Sequence, residues 1–119
     1  MRRIFIDVGG HQGQTLEEVI KPCYHFERIY CFEPMPNEFA KLRNLYSAVE
    51  RVTLLNFGLA DETGQRNIYG TNADMGASIF QSKADLDRPY VITECSFERA
   101  SDFFRRELAT GDLVVMKLS

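Results

Sequence analysis

The sequence predicts an α/β fold built on a mostly parallel sheet. Two observations carry this. Short apolar runs that suit buried strands alternate with stretches whose apolar residues fall at helical spacing, in the order β-α-β-α-β over the first half of the chain. The first of those runs also breaks directly into a turn holding Gly9, Gly10 and Gly13, and open parallel sheets meet their ligands at the carboxyl ends of strands.

The elements follow in order. Ile4 to Val8 is a buried strand by its length and by the glycine that ends it. Leu16, Val19 and Ile20 fall at helical spacing, and Pro22, which has no amide hydrogen, stops that helix. Ile29 to Phe32 is the second strand, closed by Glu33-Pro34. Phe39, Leu42, Leu45, Tyr46 and Val49 form the apolar stripe of a second helix, with Asn37 as its expected cap and Glu38 favourable in its first turn. Val52 to Phe57 is the third strand. Beyond it the pattern loosens. Asp61 to Gly64 reads as a turn, and Arg66 to Tyr69 and Tyr90 to Cys95 as two strands of an excursion. Ser101 is the expected cap of a short helix running to Leu108, with Phe103 and Phe104 inward. Leu113 to Leu118 is a final strand apolar enough to be buried on both faces.

Size and composition narrow the function classes. The 119 residues suit one domain with one core. No apolar run approaches the length of a membrane-spanning helix, and a strand rather than a signal peptide follows the N-terminal arginines. The net charge of -3 comes with no basic stripe, so neither nucleic acid nor membrane is an expected partner. Cys23, Cys31 and Cys95 are odd in number and scattered. They read as buried or half-buried thiols of a reducing cytoplasm, not as a disulfide frame or zinc site. His11 and His25, without nearby thiol pairs, make a poor metal cage.

The glycine turn and the acid after the second strand point to a ligand. Glycines permit positive φ and let a small molecule approach the main chain. Glu33, twenty residues past Gly13, stands where a carboxylate accepts both hydroxyls of a ribose and repels a 2′-phosphate. The dinucleotide spacing G-x-G-x-x-G would need glycine at Val8, which counts against NAD. The spacing that is present, Asp7-x-Gly9-x-x-x-Gly13, suits S-adenosylmethionine. Asp7 would hold the α-ammonium directly or through water, and bare amides near the first helix would meet the carboxylate.

These residues sit in longer segments that resemble the FkbM family of S-adenosylmethionine-dependent methyltransferases. The segments are IFIDVGGHQGQT, IYCFEPMPNEFAKLRN, VTLLNFGLADETG, GASIF, the run through SDFF, and DLVVMKLS. They stand in family order across nearly the whole chain. The resemblance implies a Rossmann-like class I sheet of order 3-2-1-4-5-7-6, and residues 1–119 as the N-terminal, cofactor-binding part of one methyltransferase domain. This truncated part is expected to keep the order 3-2-1-4. The resemblance also implies cofactor contacts from Asp7, Gly9, Gly10, His11, Gly13, Gln14, Thr15, Glu33 and Pro34, with Leu59 and Ala60 walling the adenine. The implied reaction is methyl transfer to an oxygen, often a sugar or natural-product hydroxyl.

The chain departs from the family pattern in two places. Gly10 and His11 stand where Ala-Asn is common, and the acidic motif that follows the last strand in relatives is absent, with Ser119 in the place of its Asp or Asn. The last strand is therefore expected at a sheet edge, available for self-association or for the remainder of a longer enzyme. No catalytic base is assigned. His11 is near the cofactor by position but suits loop hydrogen bonding, and Lys117 either lines the pocket or reaches water. Asp61 and Glu62 suit a solvated turn and Asp102 a helix start. Tyr69, Phe80 and Tyr90 either shape an acceptor site or pack. Two other classes stay open: an adenosine-nucleotide or NAD module, and a non-catalytic protein that uses its exposed edge to bind a partner.

Overall fold

The computed structural model describes residues 1–70 and 91–118. The elements are β1 (Arg3–Val8), α1 (Gln14–Val19), a 3-10 turn at Pro22–Tyr24, β2 (Arg28–Phe32), α2 (Pro36–Tyr46), β3 (Val52–Leu55) and β4 (Gly58–Ala60). They continue with β5 (Gly64–Gly70), β6 (Val91–Arg99), α3 (Ala100–Glu107) and β7 (Leu113–Leu118). The main sheet has the order β3-β2-β1-β7 and is parallel throughout. This is the expected 3-2-1-4 arrangement, with β7 as the fourth parallel strand. A second sheet, β4-β6-β5, pairs β4 parallel and β5 antiparallel to β6.

Strand alternation divides the core between the two faces of the main sheet. Phe5, Ile29 and Cys31 face α1 and α2 and pack with Leu16, Val19, Phe26, Leu42 and Tyr46. Ile4, Ile6, Tyr30 and Phe32 face the other way and pack with Phe103 of α3. The Phe103 ring meets Phe32 edge-on at 4.8 Å and Tyr30 at 5.1 Å, which is the favoured geometry of aromatic pairs. Phe104 adds to this face as a partly buried neighbour.

Several local expectations are corrected. Asn37 does not cap α2: Met35 occupies the cap position and Pro36 takes the first turn, where its missing amide costs nothing. Ser101 lies inside α3, whose cap position is Arg99. Leu45, placed in the buried stripe by its spacing, is 64% exposed. The third strand stops at Leu55, and the chain re-enters pairing at Gly58 with β6, not with β2. Cys23 is exposed, whereas Cys31 and Cys95 are buried. Among the described residues no helix is long and apolar enough to cross a membrane.

β7 is parallel to β1, pairing from Arg3↔Leu113 to Val8↔Leu118. Among the described residues its other edge is unpaired, and Leu113, Val115, Met116 and Leu118 are exposed. The apolar composition that reads as two-sided burial is therefore left uncovered by the described residues.

Candidate functional site

The parallel sheet brings the carboxyl ends of β1, β2 and β7 together, and the predicted loop lies over them. The ladder between β1 and β2 runs out at Val8↔Phe32, and the loop extends it. Gly9 and Gly10 both donate their amides to the Phe32 carbonyl, at 2.8 and 3.0 Å. The His11 amide then donates to Glu33 Oε1 at 2.8 Å. The other Glu33 oxygen accepts from the Met35 amide at 3.0 Å, and the Glu33 amide donates to Leu55 on β3. Successive amides can converge like this because Gly9 and His11 both have positive φ, 87° and 51°. The concavity made by these amides is filled by the protein's own carbonyl and carboxylate.

That arrangement corrects part of the sequence reading. The amides of Gly9, Gly10 and His11 hold the loop to β2, and are not bare toward a ligand carboxylate. Two of the glycines also answer to packing. A Cβ on Gly10 would lie 2.3 Å from Cys31 Sγ, and one on Gly13 would lie 2.7 Å from the Tyr46 ring. Tyr46 donates its hydroxyl to the Gly13 carbonyl at 3.1 Å, so α2 closes directly on the turn. Gly13 has φ 91° and caps α1.

Asp7 shares the helix-covered face with Cys31 and is fully buried. Its Oδ2 is 4.0 Å from Cys31 Sγ, and its Oδ1 has no hydrogen-bond partner among the described residues. Burial raises its pKa to about 6, opposed by Lys117 and His11 and reinforced by Glu33. The Cys31 thiol is pushed well above the ordinary range by burial and then by Asp7.

Lys117 is the register partner of Asp7 across the β1–β7 ladder. Its Nζ donates to Thr15 Oγ1 at 2.7 Å, joining the last strand to the first helix. His11 Nδ1 lies 3.9 Å from Glu33 Oε1. Gln14 opens α1 and is exposed, and Pro34 is half-buried beside Glu33.

Leu59 and Ala60 stand apart from this group. Leu59 packs against the core on the α3 face, and Ala60 pairs with Arg99 in the second sheet. Sequence reasoning missed two residues. Met35 Sδ and Cys95 Sγ are 4.0 Å apart, which brings β6 to the turn that Glu33 holds. Burial, then Glu33, raises the Cys95 pKa to about 11. Only a pairing of β6 with this turn could have shown it, and that is not written in local pattern. Tyr69 is half-buried on β5, while Phe80, Tyr90, the GASIF stretch and Ser119 lie outside the described residues. Among the described residues no cluster of His, Cys, Asp and Glu is suited to a metal.

The donor and acceptor set fits a ligand that is cationic at one end and rich in hydroxyl donors. Asp7 offers a buried oxygen with no partner, and Glu33 keeps acceptor capacity at both oxygens beyond the amides it already holds. Comparison with solved structures bears on the fold. The crystal structure of an FkbM methyltransferase from Methylobacillus flagellatus KT matches over 85% of this chain, with a TM-score of 0.53 and 17% identity. The two share a fold, an α/β arrangement on a parallel sheet. The chain spans 22% of the length of that solved chain. No protein-family model matches the sequence, and no curated protein does.

Proposed function

We propose that this chain is the cofactor-binding part of an S-adenosylmethionine-dependent methyltransferase of the FkbM type, transferring methyl to a hydroxyl of a small molecule or sugar. One observation carries the reading. In a methyltransferase-like sheet, two buried carboxylates, Asp7 and Glu33, stand at or just beyond the carboxyl ends of adjacent parallel strands, beneath a loop that places neither of them in an ion pair with Lys or Arg. In this reading Asp7 attracts the ammonium of the cofactor and Glu33 accepts its ribose hydroxyls. Gly9, Gly10, His11 and Gly13 shape the loop over it, and Gln14, Thr15 and Pro34 border it. Leu59 and Ala60 would wall the adenine, with Leu59 also packed against the core. The cofactor supplies an activated methyl on a good leaving group. The chain's share is to bind, orient and exclude water. A cytoplasmic setting accords with three free thiols.

Calorimetry with S-adenosylhomocysteine and with NAD tests this. Binding of the first and not the second is expected, and Glu33→Ala should remove most of the affinity. Binding of NAD alone would replace the reading with a dinucleotide module. The exposed β7 edge favours a second reading, in which the chain binds a partner through that strand, a second copy included, without turning over an acceptor. Cofactor binding without methyl transfer to any hydroxyl acceptor would favour it.

A further inference from the structure

The amides of Gly9, Gly10 and His11 already end on Phe32 and Glu33, so these three offer nothing to the carboxylate of an amino-acid ligand. A cation beside the mouth would attract that carboxylate. Lys117 is that cation. It lies at the carboxyl end of β7, beside Asp7 in the ladder, and forms no ion pair with an acidic side chain of the described residues. Its Nζ does not close on the unpartnered oxygen of Asp7 but donates to Thr15 Oγ1.

We infer that Lys117 and Thr15 together form the receptor for the carboxylate of the bound amino-acid moiety. The lysine keeps N–H donors beyond the one given to Thr15, and the threonine hydroxyl, accepting from the lysine, keeps its own hydrogen to give. The two donor atoms are 2.7 Å apart, a spacing that lets them address the two oxygens of a single carboxylate. Asp7, on the neighbouring strand, supplies the opposite charge for the ammonium, so one rung of the β1–β7 ladder presents complementary charges to an α-amino acid. This rests on the adenosyl-ligand reading and assigns a part of that site which the sequence left between pocket lining and solvent.

The test compares two ligands that differ in the amino-acid moiety, S-adenosylhomocysteine and 5′-methylthioadenosine, by calorimetry on wild type, Lys117→Met, Lys117→Arg and Thr15→Val. Lys117→Met should weaken S-adenosylhomocysteine about ten- to a hundredfold and leave 5′-methylthioadenosine unchanged. Lys117→Arg should restore most of the affinity, and Thr15→Val should weaken the same ligand by less. Equal weakening of both ligands, or of neither, overturns the assignment while leaving the adenosyl reading in place. Failure of both ligands to bind wild type removes the reading itself and the assignment with it.

Discussion

Asp7 shows what a buried, half-satisfied carboxylate implies. Its pKa of about 6 lies above the ordinary 3.8, so the folded protein holds the proton more tightly than the unfolded chain. The stability this contributes is complete below pH 3.8 and is lost as pH rises through about 6. At neutral pH the ionised group therefore weakens the fold by about 3 kcal/mol relative to acid. Asp7→Asn should remove that slope and stabilise the ligand-free protein at pH 7.5, read from urea denaturation at pH 5 and pH 7.5. The same variant should weaken S-adenosylhomocysteine, because the negative charge opposite its ammonium is gone. Gly10 offers a second test at this scale. Gly10→Ala drives a methyl into Cys31 Sγ and should cost about 1–3 kcal/mol, with partial recovery in the Gly10→Ala/Cys31→Ala pair. If Gly10→Ala were harmless to stability and harmful only to ligand affinity, the packing account of this glycine would be wrong.

At the scale of elements, packing outweighs local capping. Asn37 and Ser101 carry the composition of helix caps, yet each lies inside its helix and is exposed. Asn37→Ala and Ser101→Ala should each change stability by less than about 0.5 kcal/mol in chemical denaturation. Phe103, from the same helix as Ser101, plugs the α3 face between Phe32 and Tyr30, and Phe103→Ala should cost about 3–5 kcal/mol. Glu33 works between elements. Its side chain ties the first β-α loop to the second, and its amide ties both to β3. A Gln in its place has only one carbonyl oxygen to accept with. Glu33→Gln should thus keep one of the two amide bonds, which the His11 and Met35 amide proton shifts would register.

At the scale of the whole molecule the main sheet ends in β3 on one side and β7 on the other, and among the described residues β7 is the edge whose apolar side chains are exposed. Val115 and Met116 are each 41% exposed and Leu118 73%, on an edge that no described strand pairs. Each such side chain gains about 1.5–3 kcal/mol on full burial, so the edge favours pairing with another strand. We propose self-association through it. Light scattering coupled to size exclusion should show mass rising with concentration, and Val115→Lys/Leu118→Lys should hold the chain monomeric. A wild-type chain that stays monomeric at high concentration would remove this proposal.

Much of the architecture was legible in the chain. Strand, helix and turn are written at short range, so the alternation of apolar runs, the glycine punctuation and the acid after β2 identified the parallel sheet and the end of it where the candidate site lies. The residues that failed did so for long-range reasons. Leu45 has the right spacing for the core, but α2 turns it outward, where it borders an open groove of about 460 Å³ with Gln12, Lys41 and Asn44. Whether Gly10 and Gly13 serve a ligand or a neighbour depended on Cys31 and Tyr46, distant in sequence and adjacent only after folding. The sequence by itself determined the parallel sheet and the identity of its carboxylates, because these follow from periodicity and residue chemistry, while the strand order came from the family resemblance. Only the tertiary structure decided that the loop amides bind Glu33 and Phe32, that Asp7 lies buried with an unpartnered oxygen, and that Lys117 reaches Thr15. Those outcomes depend on which strands become neighbours, a choice made by burial of the whole core.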